Sequence, residues 1–517
     1  MNHTATTAFI AAVEQHGSRT AIVGEDGTRL SYAELDRVRV DGARALIAHG
    51  IGPGDRVAVW AQNCAEWVYA GLAIHSAGAV LVPVNTRMRG QEAGYVLEKS
   101  GAKILFCAGS FLGQHYPTLL GAHAPASLQK IVVLRDAQAG DFTWQDFLKS
   151  ASEVSPAVVH RRAGEISPDS TMDILFTSGT TGQPKGVITT HRQNLRVVDE
   201  WCRRMRLVPE DQYLIVNPFF HVFGYKVGWL GGLLVGCTIY PHAIFDTRAV
   251  MARIQQHRIS VLPGPPTLFI SLLNDPERAQ YDLTSLRSTI TGAASVPPSL
   301  VERMRTELTF KVLITGYGLT ESCGIVALCY PEDDAQTVAL NCGKPIPGTE
   351  VICAGEDGKE VPRGQAGEVW VRGYNVMQGY LDNEEATREA IDADGWLHTG
   401  DIAVMDERGY LRITDRLKDM YIAGGFNCYP AEIERMIAAH PAVAQVAIIG
   451  VPDERLGEVG KAFVVPKPNQ TLEPAALIAW CKNEMANYKI PRYVDVVAAL
   501  PLNPSGKVMK FQLRAQS

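Results

Sequence analysis

The sequence lacks the features that mark several classes of protein. Its 49 Lys and Arg residues against 55 Asp and Glu residues leave a formal charge of -6, without a dense basic run. That balance gives no electrostatic footprint for nucleic acid, so we predict no nucleic-acid partner. The ten cysteines form no CxxC pair and no Cys/His cluster with zinc spacing. This usage favours reduced, mostly buried thiols in a cytoplasmic protein.

Long apolar segments are also missing. Residues 1–17 contain a short apolar patch but no basic leader, which makes them a poor signal peptide. The most apolar later stretch, Val227–Tyr240, is shorter than the ~20 residues that a membrane span needs. We therefore expect a cytoplasmic protein without a membrane span, and whether it forms a homodimer stays open.

The patterning that is present predicts an α/β protein. A composition of 46% hydrophobic and 20% charged residues is that of a globular chain, and the length suggests roughly three compact units. Residues 56–61, 64–78 and 80–84 read as strand, helix and strand, which indicates a parallel sheet. Further strands are predicted at 103–107, 130–134 and 173–176, and residues 261–266 read as a strand that ends in a rigid Pro/Gly turn.

The pattern changes twice in the second half. From Gly343 onward, short alternating segments with glycine-rich turns predict a small β-rich subdomain. After Asp415, predicted helices at 431–439 and 474–486 flank strands at 444–451 and 461–465. This last piece reads as a separate α+β lid of about a hundred residues, a common domain size.

The segment 177–187, TSGTTGQPKGV, directly follows a predicted buried strand. Its glycines allow tight turns and a close approach to a ligand. Its hydroxyls, backbone N–H groups and lysine can bind phosphate oxygens. The candidate phosphate ligands are Thr177, Ser178, Gly179, Thr180, Thr181 and Lys185. The spacing does not match a Walker A loop, and the alternative is a surface loop that binds nothing.

This segment resembles the phosphate loop of the adenylate-forming superfamily, which includes acyl- and aryl-CoA synthetases, firefly luciferase and peptide-synthetase adenylation domains. Further family motifs follow in order: NPFFH at 217–221, TGAA at 291–294, GYGLTE at 316–321, TGD at 399–401, DRLKD at 415–419, GGFNCYP at 424–430 and NPSGK at 503–507. The resemblance implies an ATP-dependent ligase that makes an acyl-adenylate and passes the acyl group to coenzyme A. It also implies a large N-terminal domain over 1–415, a hinge over 416–420 and a mobile C-terminal lid over 421–517.

The resemblance assigns the metal and nucleotide ligands. Glu321 and Thr181 would hold Mg²⁺ on the ATP phosphates, because Mg²⁺ prefers hard oxygen ligands. Asp401 would accept the ribose hydroxyls with help from Arg416, and Tyr317 would face adenine. The remaining nucleotide contacts would come from Gly292, Ala293, Ala294, Gly316 and Thr320. The alternatives are a surface carboxylate at Glu321, a structural tyrosine and a surface ion pair of Arg416.

Three residues receive catalytic roles from the same resemblance. Lys507 would stabilise the charge that develops when a carboxylate attacks the α-phosphate, although a lysine near a chain end is usually just solvated. Thr181 belongs to the phosphate loop. His221 would shape the acid pocket as a neutral imidazole, and a packed core histidine is the alternative. No general base is needed, because a carboxylate is already the nucleophile.

The second half-reaction requires the thiol to reach the carbonyl carbon. By match to the family, the C-terminal domain rotates about Lys418, since a few hinge residues can absorb such a change. Gly424 and Gly425 would then line the pantetheine channel, where only backbone without a side chain fits. A simple tight turn is the compatible alternative for this pair.

The predicted acyl pocket is largely apolar. Its candidate lining residues are His221, Val222, Phe223, Gly224, Val227, Pro265 and Leu319. Among the segments that contain these residues, only Lys226 is a basic residue that could recognise a second carboxylate. The sequence therefore favours a hydrophobic or cyclic monoacid.

The wider strings NPFFHVFGYKVGW, LPGPPT, CGKP and ITDRLKDMYIAGGFNCYPAE are most similar to a bacterial branch that includes ligases for a steroid-derived indane-propionate. They also resemble ligases for fatty and aryl-alkanoic acids. A carrier protein could replace coenzyme A as acceptor. A nucleotide-binding protein without catalysis is the alternative of another class, and intact Lys185, Glu321 and Lys507 argue against it.

Overall fold

The computed structural model describes residues 3–178, 183–292, 296, 298–355, 357–416, 421–428, 430–467, 470–501, 508, 510–515 and 517. The strands are β1 Thr20–Val23, β2 Arg29–Ser31, β3 Arg56–Trp60, β4 Val80–Pro83, β5 Ile104–Ala108, β6 Ser110–Phe111, β7 Gln114–His115, β8 Lys130–Arg135, β9 Thr171–Ser178, β10 Pro184–Thr190, β11 Gln212–Ile215, β12 Thr238–Pro241, β13 Ser288–Thr291, β14 Val312–Tyr317, β15 Ala327–Leu328, β16 Lys344–Pro345, β17 Thr349–Ala354, β18 Ala366–Gly373, β19 Gly379–Tyr380, β20 Leu397–Met405, β21 Leu411–Arg416, β22 Tyr421–Ala423, β23 Phe426–Cys428, β24 Val443–Asp453, β25 Gly457–Pro466 and β26 Tyr493–Val496.

The helices are α1 Ala5–His16, α2 Tyr32–Ala48, α3 Ala65–Ser76, α4 Gly90–Ser100, α5 Tyr116–Leu120, α6 Trp144–Lys149, α7 Pro156–Glu165, α8 His191–Arg204, α9 Val222–Gly224, α10 Gly231–Val235, α11 Thr247–His257, α12 Pro266–Asn274, α13 Pro298–Glu307, α14 Ala335–Leu340, α15 Glu384–Ala390, α16 Pro430–Ala438, α17 Pro474–Glu484 and α18 Lys510–Ala515. A π-helical stretch over Tyr225–Leu230 joins α9 to α10.

A seven-stranded sheet with the order β19-β10-β9-β4-β3-β5-β8 forms the centre of the N-terminal part. Strands β9, β4, β3, β5 and β8 run parallel, and β10 is antiparallel to both of its neighbours. The parallel strands are apolar runs because both of their faces are covered, as β4 and β5 show by being buried throughout. Helix α8 begins directly after β10, since Thr190 and Gln193 cap each other reciprocally.

A second sheet has the order β11-β12-β1-β2, and a third has the order β13-β14-β15-β16. The strand predicted over 261–266 is shorter than expected. Only Val261 forms bridges, to Tyr213 and Ser288, and it thereby joins the two sheets, while the Leu262 and Gly264 N–H groups still donate to β13. The prolines at 263, 265 and 266 lack an N–H for a ladder, and α12 begins at Pro266. One large apolar cluster runs through all the layers from Ala5 to Ile346.

The smaller units follow in the predicted order. Strands β17, β18, β20 and β21 form an antiparallel sheet with its own core, in agreement with the β-rich subdomain. The C-terminal sheet has the order β23-β22-β25-β24, with β26 parallel to β25. Alternate residues of β24 place two apolar clusters on its opposite faces, and both clusters consist of residues from Tyr421 onward.

The α/β prediction, with a large N-terminal part and a small α+β C-terminal part, is confirmed. The domain limits at 415 and 421 and the hinge between them stay predictions, because residues 417–420 lie outside the described part of the chain. Among the described helices, none has both the length and the apolar character required to cross a membrane.

Candidate active site

The β9–β10 hairpin carries the predicted phosphate loop. Thr177 pairs with Lys185 across its two antiparallel strands, so both residues stand at the end of the hairpin. The described part of the loop does not include the predicted ligands Gly179, Thr180 and Thr181 or the side chain of Ser178.

Glu321 lies beside this hairpin. Its Oε1 accepts a hydrogen bond of 2.9 Å from the Tyr380 hydroxyl, and Lys185 Nζ lies 4.9 Å from the centroid of the Tyr380 ring. Tyr380 reaches this place because β19 pairs with β10 at Val187. Burial raises the pKa of Glu321, although Tyr380 and Lys185 both favour the carboxylate. The structure thus brings together the predicted metal ligand and the predicted phosphate ligand.

This donor set fits a magnesium ion that is held mainly through nucleotide phosphates. Mg²⁺ takes one or two protein carboxylates together with phosphate oxygens and water. Glu321 supplies one carboxylate, and the second predicted ligand, Thr181, is among the undescribed residues. In the described ranges, no group of three or more His, Cys, Asp or Glu residues could hold a metal by itself.

The predicted adenine and ribose ligands are in direct contact. The Tyr317 hydroxyl donates to Asp401 Oδ2 over 2.6 Å, and Asp401 is buried. Thr399 accepts from the Asp401 N–H over 3.1 Å, which fixes the TGD turn. Arg416 faces Asp401 across the β20–β21 ladder, but its side chain is not described.

The other predicted nucleotide contacts border this pair. Gly316 directly follows the run of β14 that pairs with β13 and itself pairs with Leu328 of β15. A Cβ on Gly292 would lie 3.5 Å from the Gly316 carbonyl oxygen. Thr320 stands in a 3₁₀ turn with Glu321 and Ser322. Ala293 and Ala294 lie beyond the described residues.

Three segments predicted to line the acyl pocket are tied together. The Asn217 amide donates to the Pro263 carbonyl over 3.0 Å, and the Gly264 N–H donates to β13. Gly324, with a φ of +98°, packs so closely that a Cβ would stand 2.1 Å from Val222 Cγ1. Only glycine satisfies both the φ and the contact. The strings around 217–228, 263–267 and 319–324 therefore converge on one place.

The predicted lining residues differ in depth. Phe223, Pro265 and Leu319 are half-buried, whereas Val222 and Gly224 are buried. A Cβ on Gly224 would stand 2.2 Å from the Asn217 carbonyl oxygen, so this turn excludes larger residues. Val227 is 1% exposed and belongs to the main core.

His221 caps the short helix α9. Its Nδ1 accepts from the Phe223 N–H over 3.3 Å, which leaves Nε2 directed away from the helix. Protein atoms packed around the ring lower its pKa to about 4, although the residue as a whole is exposed to solvent. A ring that protein atoms surround but water reaches is expected to face an internal cleft. The imidazole is thus neutral at pH 7.

Lys226 is not available to a substrate carboxylate. It is fully buried, and its Nζ lies 3.1 Å from Asp173 Oδ1 and 3.1 Å from Thr189 Oγ1. Thr189 also donates to Asp173, and Asn194 donates to both. Desolvation raises the pKa of Asp173 in spite of this ion pair.

The C-terminal motifs are described only in part. Gly424 and Gly425, with φ of +57° and +84°, form the two-residue turn between β22 and β23, a geometry that asks for glycine at both positions. This agrees with the tight-turn interpretation and does not test the channel. Lys418 and Lys507 lie outside the described residues.

Comparison with known proteins identifies the family. The model of the AMP-binding enzyme family matches residues 9–381, and that of the AMP-binding enzyme C-terminal domain matches residues 432–507. The chain belongs to the AMP-binding enzyme family. It is an AMP-forming acyl-CoA synthetase that ligates a hydrophobic acid and uses ATP, Mg²⁺ and CoA.

Two curated relatives of this synthetase share one name, 3-[(3aS,4S,7aS)-7a-methyl-1,5-dioxo-octahydro-1H-inden-4-yl]propanoyl:CoA ligase. The relative from Mycobacterium tuberculosis (strain ATCC 25618 / H37Rv) is 50% identical over 97% of this chain and 96% of its own length. The relative from Rhodococcus jostii (strain RHA1) is 49% identical over 99% of this chain and 98% of its own length.

Among solved structures, o-succinylbenzoate CoA synthetase from Bacillus subtilis is similar in two forms. A double mutant bound with its product analogue OSB-NCoA matches with a TM-score of 0.81 and 28% identity, covering 100% of this chain and 99% of that chain. The complex with AMP matches with a TM-score of 0.66 and 29% identity, covering 99% and 98%.

Two features of the synthetase site were missed by sequence reasoning. Tyr380 carries no recognisable local signal, because β19 has only two residues and its partner is set by the tertiary fold. Asp173 read simply as part of a buried strand, and the clue was an acidic residue inside an apolar run.

Proposed function

We propose that the physiological acid is a bulky alicyclic propanoate of the kind for which the two relatives are named. The observation that carries this proposal is about 50% identity to both ligases over nearly the whole chain. The pocket supports it, since its half-buried lining is apolar and Lys226 is neutralised by Asp173. A ring system with few polar groups suits such walls better than a dicarboxylic acid does.

The first half-reaction uses the residues around the β9–β10 hairpin. A carboxylate oxygen of the acid attacks the α-phosphorus of ATP, the new P–O bond forms, and pyrophosphate leaves. We assign the phosphate oxygens to Thr177, Ser178, Gly179, Thr180, Thr181 and Lys185. Lys507 offsets the charge on the α-phosphate in the transition state. Mg²⁺ held by Glu321 and Thr181 would neutralise phosphate charge.

The adenosine and the acid are bound on either side of this centre. We assign Asp401 and Arg416 to the ribose and Tyr317 to adenine, with Tyr317 also orienting the Asp401 carboxylate through its hydroxyl. The remaining nucleotide contacts are assigned to Gly292, Ala293, Ala294, Gly316 and Thr320. Neutral His221 faces the acid without repelling or titrating against its carboxylate.

In the second half-reaction the sulfur of CoA attacks the carbonyl carbon of the acyl-adenylate, the C–O bond to AMP breaks, and the thiol proton is released. We propose that residues 421–517 rotate about Lys418 within a hinge at 416–420 to bring the thiol in. The Gly424–Gly425 turn then lines the pantetheine path.

The test is a panel of acids assayed for pyrophosphate, AMP and thioester together. We expect CoA-dependent AMP release to be fastest with the indane-propionate, well ahead of fatty acids, arylpropionates and cinnamates. Faster turnover of a linear or aromatic acid would refute the proposal that the physiological acid is a bulky alicyclic propanoate. Pyrophosphate release without a CoA thioester would refute CoA as the acceptor and indicate a carrier protein.

We also propose that the enzyme works in the cytoplasm on free small molecules and without nucleic acid. Cell fractionation tests the first statement. Light scattering during chromatography distinguishes a monomer from a homodimer.

A further inference from the structure

The C-terminal domain is attached to the N-terminal part by an ion pair beside helix α4. Lys489 Nζ lies 2.8 Å from Glu92 Oε1. The Asn85 amide donates to the Tyr488 hydroxyl over 3.0 Å, and the Arg89 guanidinium donates to the Lys482 carbonyl. These contacts join segments that are about 400 residues apart, so they depend on how the two parts are oriented rather than on local folding.

This ion pair is largely shielded from water. The Lys489 side chain is 3% exposed and that of Glu92 is 10% exposed. The second carboxylate oxygen of Glu92 accepts from the Arg89 N–H over 2.8 Å, which holds the carboxylate in place. A shielded pair with fixed geometry is sensitive to the loss of one partner, because the remaining charge is left without compensation.

The ion pair is also linked to the turn proposed to receive pantetheine. Tyr488, the neighbour of Lys489, stacks on Phe426 with ring centroids 4.5 Å apart and an interplanar angle of 17°. Phe426 directly follows Gly425 and begins β23. The Cys428 thiol donates to the Tyr488 carbonyl over 3.2 Å. The orientation of the Gly424–Gly425 hairpin is therefore tied to the contacts with α4.

The orientation that contains this ion pair is closer to a CoA-product-analogue form than to an AMP form. The chain superposes on o-succinylbenzoate CoA synthetase from Bacillus subtilis with a TM-score of 0.81 for the form bound with OSB-NCoA and 0.66 for the form bound with AMP, at almost equal coverage. We propose that Glu92 and Lys489 are positioning residues that hold the C-terminal domain in the orientation for thiol transfer. This inference rests on the domain rotation in the proposed function.

The consequence is an unequal effect on the two half-reactions. If the C-terminal domain rotates for adenylation, the ion pair separates and both charges return to water. Removing it therefore destabilises only the thiol-transfer orientation. Glu92→Gln should slow thioester formation from supplied acyl-adenylate by about tenfold or more, as expected for a shielded pair, while pyrophosphate release in the first step is kept or accelerated.

The decisive experiment is a charge exchange. Glu92→Lys and Lys489→Glu should each slow single-turnover thiol transfer, and the double variant should restore it to within about threefold, since the pair is re-formed in reverse. Asp495→Asn is the matched control, because it breaks the Lys461–Asp495 pair inside the C-terminal domain. That control should change neither half-reaction.

Equal loss of both half-reactions in Glu92→Gln, or single variants that transfer the thiol at the normal rate, would overturn the inference. If the charge-exchanged protein does not fold, Asn85→Ala provides an independent test of the same attachment, and normal thiol transfer in that variant would also overturn it. Small-angle scattering of the protein without substrates should show a shifted domain distribution in Glu92→Gln. A wild-type enzyme inactive with every acid would refute the proposed function instead.

Discussion

Replacing Lys226 by methionine tests how the acyl pocket is built. The substitution keeps most of the length of the side chain but removes its ammonium group, which leaves Asp173, 0% exposed, without its cation. Removing one partner of such a pair costs about 3–5 kcal/mol. With roughly 2.1 cal/mol/K of unfolding entropy per residue, an N-terminal part of about 400 residues would lose ~5 °C in Tm for ~4 kcal/mol.

The assay combines thermal unfolding with acid selectivity. We expect Lys226→Met to be unstable, and the double variant with Asp173→Asn to recover more than half of the loss, because no buried charge then remains uncompensated. Neither variant should change the relative rates for monoacids and dicarboxylic acids. Arg39→Met, which removes another buried cation paired with Asp36, is the control for stability alone. The reasoning is refuted if Lys226→Met is as stable as wild type and specifically loses turnover of a dicarboxylic acid.

Four further predictions concern the site and its pH dependence. Lys507→Ala should abolish pyrophosphate release yet spare thioester formation from supplied acyl-adenylate, and equal loss of both would remove Lys507 from its proposed role. Glu321→Gln should raise the Mg²⁺ concentration needed for half-maximal rate, and an unchanged metal dependence would exclude coordination by Glu321. Tyr317→Phe removes the hydroxyl bound to Asp401 and should raise the KM for ATP about fivefold, or ~1 kcal/mol, with the KM for the acid unchanged. Burial lowers the pKa of His191 to about 4, so on acidification the unfolded state takes up a proton at this residue before the folded state does. The free energy of unfolding should therefore fall by up to ~3 kcal/mol as the pH drops from about 6.5 toward 4. His191→Gln should flatten this part of the pH–stability curve, measured by urea unfolding.

The parallel sheet could be predicted because its strands are covered on both faces. Such strands must be continuous apolar runs, and those at 56–61, 80–84, 103–107 and 130–134 are present with ends shifted by at most one residue. The segment 261–266 is just as apolar, but its prolines cannot donate to a ladder. Periodicity alone does not show where such a strand stops. In the structure only Val261 forms bridges, one on each side, and a helix begins at Pro266.

Candidate site residues could be proposed from the sequence where they belong to a motif, but not where only a tertiary contact brings them to the site. Glu321 and Lys185 were predicted as ligands because each belongs to a continuous motif, and they lie near each other around Tyr380. Tyr380 itself depends on a two-residue strand that has no signature of its own. The role of Lys226 also depended on contact: the sequence left it open as a carboxylate ligand, and only its burial against Asp173 decides otherwise.

Burial accounts for the charge state of the proposed acyl pocket and for the selectivity that we propose for it. Desolvation makes an unpaired cation costly in these walls, so Lys226 is paired with Asp173 and no longer attracts a carboxylate. Desolvation of the ring also lowers the pKa of His221 to about 4, so that its imidazole is neutral at pH 7. In the binding mode that we propose, the acid's own carboxylate meets no positive charge on the described acyl side and is drawn toward the phosphate side, where Lys185 lies beside Glu321. An apolar pocket of this kind orients its substrate by leaving only one direction in which the charged group is stabilised.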